Sequence, residues 1–317
     1  RVLVQPAARV VHVEGATAGT DLAQGAKAGQ VRHQGVFAER WREVLAHHGP
    51  RRAPDAGSVV RGRPQVLVID ALTPAPDRDS GSLRLVNLMR LLMEEGARVV
   101  FMPANRTHGG ADTVALQQLG VEAWYAPWAT RAPAWLREHG HRFDTVLVCR
   151  HYVAGEFLPL LRRHAPQAKV VFDTVDLHYL RERRGAEVSG DPARLRTAER
   201  TRAKELGVIA RADATLVVSE AERALLATDA PGARVEVLSN VHRVAGAGRP
   251  FAERRDLVFV GGFRHPPNVD AVRWFAGEVL PRIRDRLPEV TFHCIGGDVP
   301  PEVDALARAP RVVVHGP

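Results

Sequence analysis

From Pro64 onward, short apolar runs alternate with longer segments whose apolar positions recur at helical spacing. Gln65-Val-Leu-Val-Ile-Asp70 is almost continuously apolar, the pattern of a parallel strand covered on both faces. Further strand-like runs fall at residues 98–102, 121–125, 145–149, 169–173, 214–218 and 235–238. The intervening spacing predicts helices over 82–95, closed by a C′ glycine at Gly96, and over 112–119, 156–164 and 192–210. Ser219-Glu-Ala-Glu222 reads as a capping box opening one more helix. Strands joined by crossover helices predict a doubly wound parallel α/β sheet for residues 64–250.

The pattern restarts near Asp256. Leu257-Val-Phe-Val260 is expected as a buried strand, Gly261-Gly262-Phe263 as a turn, and Asn268 as the N-cap of a helix. That helix presents Val272, Phe275, Ala276, Val279, Leu280 and Ile283 on one face. A strand at 290–295, a short helix at 303–308 and a strand at 311–314 follow. Residues 251–317 therefore read as half of a second Rossmann-like domain. Upstream, residues 1–48 hold one strand (9–13) and one helix carrying Phe37, Trp41, Val44 and Leu45, too little to bury a core. Residues 49–63 combine Pro, Gly and Arg without period, as a linker does. The expectation is a piece of a longer chain, cut at both ends.

Composition narrows the class. The 317 residues are 45% hydrophobic and 25% charged, the balance of a globular protein. No apolar run is long enough to predict a transmembrane helix. Cys149 and Cys294 stand alone in apolar runs, which excludes a disulfide framework or a CxxC zinc site and fits a reducing cytoplasm. Net charge is +8, from 44 Lys+Arg against 36 Asp+Glu. The excess is scattered arginine without a basic block or interleaved aromatics, which argues against nucleic acid. Phosphate-bearing small substrates or a peripheral membrane contact suit it better.

Candidate chemistry lies where loops leave the carboxyl ends of strands. After the first strand, the loop 70–84 ends in Asp79, Ser80, Gly81 and Ser82 and leads to Arg84. Helix-start N–H groups there could receive an anion, or the loop could simply cap its helix. Walker A and GxGxxG patterns are absent, which removes support for a P-loop or nicotinamide enzyme. Asp77-Arg-Asp79 has the form of a metal-binding DxD, but its place in a helix-start loop argues for no metal. Asp173, Asp176, His178 and Arg181 crowd one strand end, with Arg150 and His151 at the neighbouring one. Such sets mark reactive crevices or locally paired helix entries. In the second unit, Gly261, Gly262, Phe263 and Arg264 follow the first strand, where bare backbone and a guanidinium could meet a diphosphate.

Together these segments resemble a family-4 glycosyltransferase of the GT-B fold, from residue 64 to 317. The resemblance rests on Asp70…Pro74…Pro76-Asp77…Asp79-Ser80-Gly81-Ser82…Arg84, on Asp173-Thr-Val-Asp176-Leu-His178…Arg181, and on Ala212-Asp213…Val218-Ser219…Glu222. It also rests on Phe259-Val-Gly-Gly-Phe263…Pro267-Asn268…Ala271…Trp274-Phe275. It implies a nucleoside-diphosphate sugar held mainly by the second domain, a saccharide or lipid-linked acceptor held by the first, and transfer with retention in surface polysaccharide synthesis. It implies no cofactor in the GT-B part, and a cytoplasmic protein, with a place at the inner membrane face also open. Asp173, Asp176 and His178 become the catalytic candidates; Asp79, Ser80, Gly81, Ser82, Arg84, Arg150, His151 and Arg181 the substrate contacts; Gly261, Gly262, Phe263 and Arg264 the donor contacts. The family's E-x7-E element is not matched, since no two glutamates in the chain have that spacing. A sugar-nucleotide epimerase of the same fold and a non-catalytic assembly module remain alternatives. Residues 1–48 resemble the end of a family-2 (GT-A) glycosyltransferase, through Val11-His12-Val-Glu14-Gly15…Gly19-Thr20-Asp21 and the Phe37…Trp41 helix. That resemblance implies a divalent metal for the family-2 domain, with His12 near it.

Overall fold

The computed structural model describes Asp21, Gln24, residues 27–46 and residues 63–316. The expected strand at 9–13, His12 and most of the linker lie outside the described residues. Helices α1 (Gln30–Arg40) and α2 (Arg42–Ala46) come first. The rings of Phe37 and Trp41 meet at 6.3 Å, yet both side chains are exposed, as are Val31 and Val36.

The described residues divide into two compact units: those up to 74 with 85–240, and those at 75–84 with 241–316. The first is built on a seven-stranded sheet, every pairing parallel, in the order β3-β2-β1-β4-β5-β6-β7. The strands are β1 (Gln65–Asp70), β2 (Arg98–Pro103), β3 (Glu122–Ala123), β4 (Thr145–Cys149), β5 (Lys169–Asp173), β6 (Ala214–Val217) and β7 (Val235–Val237). The crossover helices are α3 (Ser80–Glu94), α4 (Ala111–Leu119), α5 (Ala132–His139), α6 (His151–His164), α7 (His178–Ser189), α8 (Pro192–Ile209) and α9 (Glu220–Asp229). Alternate residues of the strands feed two cores. Leu67, Ile69, Met102, Val146, Val148 and Phe172 pack with Trp135, Phe157 and Leu161 on one face. Val66, Val68, Val99, Phe101, Leu147 and Cys149 pack with Leu85, Met89 and Leu116 on the other. That two-sided burial explains why these strands read as continuous apolar runs.

Caps are set largely as the residues dictate. Gly96 and Gly120 hold positive φ at the ends of α3 and α4. Asp191 accepts from Ala193 N–H to open α8, with Pro192 in its first turn. Ser219 accepts from Glu222 N–H at 3.2 Å, as the capping box predicts. The reciprocal bond differs: Glu222 accepts from Val218 N–H at 2.9 Å and from Leu177 N–H at 3.3 Å, tying α9 to the loop after β5. Three helices exceed the sequence expectation, among them α7, which fills residues 178–189 where no helix is expected. α5 is additional, although Ala132, Trp135 and Leu136 carry its i, i+3, i+4 signal, and α6 begins at His151, five residues earlier than expected.

The second unit holds a parallel sheet ordered β10-β9-β8, from β8 (Leu257–Val260), β9 (Phe292–Ile295) and β10 (Val312–His315). A continuous helical stretch runs through α10 (Pro266–Trp274), a wider π turn (Phe275–Val279) and α11 (Leu280–Arg284), and α12 (Pro301–Asp304) precedes β10. Two expectations are corrected. β8 is not buried, because only one face of this sheet packs on the core; Val258 and Val260 are exposed on the other face, as is Val313 of β10. Asn268 is not the N-cap; that place falls to His265, and the Asn268 side chain donates to the Gly262 carbonyl at 2.8 Å. Gly296 packs so closely that an added Cβ would stand 2.0 Å from the Gly261 carbonyl oxygen. Gly296→Ala is expected to cost about 1–3 kcal/mol through forced displacement of backbone, measured as a lower urea midpoint of this unit against a Gly232→Ala control, where the added Cβ meets nothing.

Candidate active site

In a doubly wound sheet the strand order reverses at one point, and the loops there part to leave a crevice. Here the reversal lies between β1 and β4, which pair directly. Asp70 ends β1, and Arg150 follows β4 and opens α6. Arg150 Nε donates to Asp70 Oδ1 at 2.9 Å, and the same oxygen accepts from Ala71 N–H. Burial raises the Asp70 carboxyl above its ordinary value against the lowering pull of Arg150. The pair sits at the switch point, with Asp70 buried and Arg150 partly buried.

The backbone is strained beside it. Arg150 sits at φ 68° and Val175 at φ 65°, the latter a β-branched residue in a region such residues avoid. Both positions are held from neighbouring strands. Arg150 N–H donates to the Asp173 carbonyl, Thr174 N–H and Oγ1 both donate to the Leu216 carbonyl, and Asp173 Oδ1 accepts from Val175 N–H. Asp173 is fully buried in this turn. It shapes the loop rather than presenting a carboxylate.

The loop delivers Asp176, His178 and Arg181 together. His178 Nδ1 lies 3.1 Å from the Asp176 carbonyl oxygen and 3.4 Å from its Oδ1. A carbonyl can only accept, so Nδ1 carries the proton and Nε2 keeps its lone pair. Burial lowers the His178 pKa, while Asp176 opposes the shift. Arg181 Nη1 donates to Asp176 Oδ2 at 2.6 Å, completing a line from Arg181 through Asp176 to His178. The rings of His151 and Tyr152 stand edge-on to His178, at 4.9 and 6.0 Å. Burial pushes the His151 pKa down to about 4, with His178 adding to the effect.

Glu205, in the charged helix α8, went unnoticed in the sequence. Fully buried, it accepts from Tyr179 N–H at 3.1 Å and His178 N–H at 3.4 Å, capping the start of α7 from the other arm of a helical hairpin. Burial raises its pKa to about 7. The signal that could have found it is spacing, since Glu205 falls on the same helical face as Ala198, Thr201 and Val208, all buried. From the end of α9, Asp229 reaches both arms of the hairpin, accepting from Arg202 Nη2 at 2.7 Å and Tyr179 Oη at 2.8 Å. The Arg202 bond holds the Asp229 pKa below its ordinary value. A carboxyl depressed in the fold stabilises above its unfolded pKa and loses that contribution as pH falls through the folded one. Asp229→Asn should therefore be less stable than the parent at neutral pH and converge with it in acid, read from urea unfolding at several pH values.

The other expected contacts belong to the second unit. Asp79 accepts from Ser82 N–H and from Ser82 Oγ, each at 2.7 Å, so the helix-cap reading of this loop is realised and the Ser82 donor is already engaged. Ser80 and Gly81 form the first turn of α3, and Arg84 is buried. At Gly261 a Cβ would stand 2.8 Å from Asn268 Nδ2, a side-chain end that would have to shift; around Gly262 nothing lies within 4 Å. Phe263 turns its ring into the core and its N–H donates to the Gly297 carbonyl. Arg264 is exposed and pairs with Asp298 at 2.9 Å. The structure thus brings Asp70, Arg150, His151, Asp176, His178 and Arg181 together at the strand ends of the first unit, with Asp173 buried beneath them, and groups Asp79–Arg84 and Gly261–Arg264 with the other unit.

Residues 254–317 match the model of the family described as glycosyl transferases group 1. The match covers the second unit from the approach to β8 onward, including Gly261–Arg264 and Gly296. No curated protein matches the chain. Among solved structures the chain is similar to a putative UDP-N-acetylglucosamine 2-epimerase from Listeria monocytogenes, at 15% identity and TM-score 0.44, covering 81% of this chain and 70% of that one. It is similar also to an alpha-glucosyltransferase in complex with UDP and DNA, at 12% identity and TM-score 0.44, covering 78% and 60%. A third, described as trehalose-6-phosphate from E. coli bound with UDP-2-fluoro glucose, gives 11%, TM-score 0.43, 80% and 73%. These likenesses are too loose to carry an argument.

Proposed function

We propose that the protein is a glycosyltransferase that moves a sugar from a nucleoside-diphosphate sugar to a hydroxyl of a saccharide or lipid-linked acceptor. The observation that carries the reaction class is the glycosyl transferases group 1 match over residues 254–317. The crevice of the first unit supplies the acceptor chemistry. The acceptor hydroxyl donates to His178 Nε2, whose free lone pair follows from the Nδ1 contact with the Asp176 carbonyl. As the anomeric carbon bonds the acceptor oxygen, the bond to the diphosphate oxygen breaks and its electron pair leaves with the diphosphate. The hydroxyl proton passes to His178, and the Asp176 carboxylate at 3.4 Å steadies the imidazolium formed.

In this division of labour the second unit holds the donor. Gly261 and Gly262 bring backbone close to the diphosphate, and Arg264 exchanges Asp298 for its charge. Retention at the anomeric carbon, a role in surface polysaccharide synthesis and a cytoplasmic site belong to the same reading. Among the described residues no helix is long and apolar enough to cross a membrane. The test is product analysis with labelled nucleotide sugars, with and without acceptor extracts. Transfer predicts label in acceptor and acceptor-dependent release of nucleoside diphosphate. Label recovered only as an isomerised or hydrolysed donor would favour an epimerase instead.

A further inference from the structure

We propose that His151, His178 and Glu205 form a binding site for one divalent transition-metal ion of the zinc class in the crevice of the first unit. A nitrogen from each ring and an oxygen of Glu205 lie within 4.8 Å of one another. The three come from separate elements: His151 opens α6, His178 opens α7, and Glu205 lies in the last turns of α8. The parallel sheet brings the two histidines to adjacent strand ends, and the α7–α8 hairpin folds the carboxylate back beneath them.

Two imidazole nitrogens and one carboxylate oxygen make a donor set suited to zinc and its neighbours rather than to magnesium or calcium. A second observation points to an ion. His151 Nδ1 and Glu182 Oε2 are both buried without a hydrogen-bond partner. Glu182 sits one helical turn beyond His178 on α7. Buried polar atoms are normally paired, and an unpaired lone pair beside two carboxylates lacks a cation. His178 Nδ1 stands 3.8 Å from Glu205 Oε1, and its contact with the Asp176 carbonyl leaves the Nε2 lone pair free for an ion, the kind of hydrogen bond that commonly orients metal-bound histidine. Zinc bonds of about 2.0–2.1 Å place ligand atoms about 3.4 Å apart, so closure onto the ion needs modest side-chain rotation. His151, only partly buried, leaves an open side for entry and for a water in the fourth position.

Occupancy has a consequence that rests on the proposed function. One lone pair on His178 cannot serve a metal and an acceptor hydroxyl together, so the ion would inhibit transfer.

The experiment titrates metal-stripped protein with Zn²⁺ against a chromophoric chelator, then repeats the titration with Co²⁺ and reads its visible absorption. The parent is expected to bind one ion tightly with a tetrahedral cobalt spectrum. His151→Ala should weaken binding by at least about tenfold and lose the spectrum; this side chain is partly exposed and its Nδ1 unpaired, so the variant should fold. His293→Ala breaks the other close histidine pair, in which His293 Nδ1 and His315 Nε2 stand 3.0 Å apart, and should change nothing. No tight binding by the parent, or a loss in His293→Ala and not in His151→Ala, would overturn the site. Zinc bound at His151 without any loss of transfer would keep the site and sink His178 as the base. Active transfer without zinc binding would do the reverse.

Discussion

Replacing His178 by alanine is expected to lower kcat for sugar transfer by about 100- to 10,000-fold, the range over which a positioned general base contributes. The donor KM should hold, because the residues assigned to the donor belong to the other unit. The pH profile gives a readout that mere loss of packing would not reproduce. Burial sets the His178 pKa below its ordinary value, so the acid limb of kcat/KM should lie below the usual histidine range. Asp176 raises that pKa, so Asp176→Asn should carry the limb further into acid as well as slowing the reaction. An unchanged limb in Asp176→Asn would remove the dyad from the mechanism.

Arg150→Ala carries the largest expected stability cost, about 3–5 kcal/mol, since it leaves the Asp70 carboxylate buried without its partner. The cost should shrink in acid. Asp70 is already raised by burial and held down chiefly by Arg150; without the guanidinium it protonates at higher pH, and a neutral acid tolerates burial. The double variant Asp70→Leu/Arg150→Met should recover much of the loss, because removing both charges also removes the desolvation penalty. Urea unfolding of the four-protein cycle, at neutral pH and near pH 5, measures the coupling. Strict additivity of the two single changes would mean that the pair contributes nothing.

The sheet was legible because parallel strands buried on both faces cannot help being apolar. Each of the seven runs from Gln65 to Val237 became a strand of one parallel sheet, and the Gly96 and Ser219 boundary signals marked real helix ends. Edge elements were harder to read. β8 has the same apolar composition as β1, but the sheet of the second unit packs on a core by one face, and composition does not say whether a strand's second face is covered. The crevice was legible in part. Asp176, His178 and Arg181 are close in sequence and meet in space, and Arg150 and His151 flag themselves at a strand end. Glu205 escaped because burial of one carboxylate in a charged helix depends on the partner arm, α7. Asp173 was read as reactive from its neighbours, whereas full burial makes it a turn former. For Asp79 and Ser82, a helix cap and an anion site share one sequence signature, and the local hydrogen bonds decide for the cap.

Under the proposed function, donor and acceptor chemistry are carried by different units. Isothermal titration with UDP- and GDP-sugars tests it directly, comparing the parent with Arg264→Ala and His178→Ala. At least one nucleotide sugar should bind, Arg264→Ala should weaken it, and His178→Ala should leave it unchanged. Failure of every nucleotide sugar to bind, or loss of donor binding in His178→Ala alone, would contradict it.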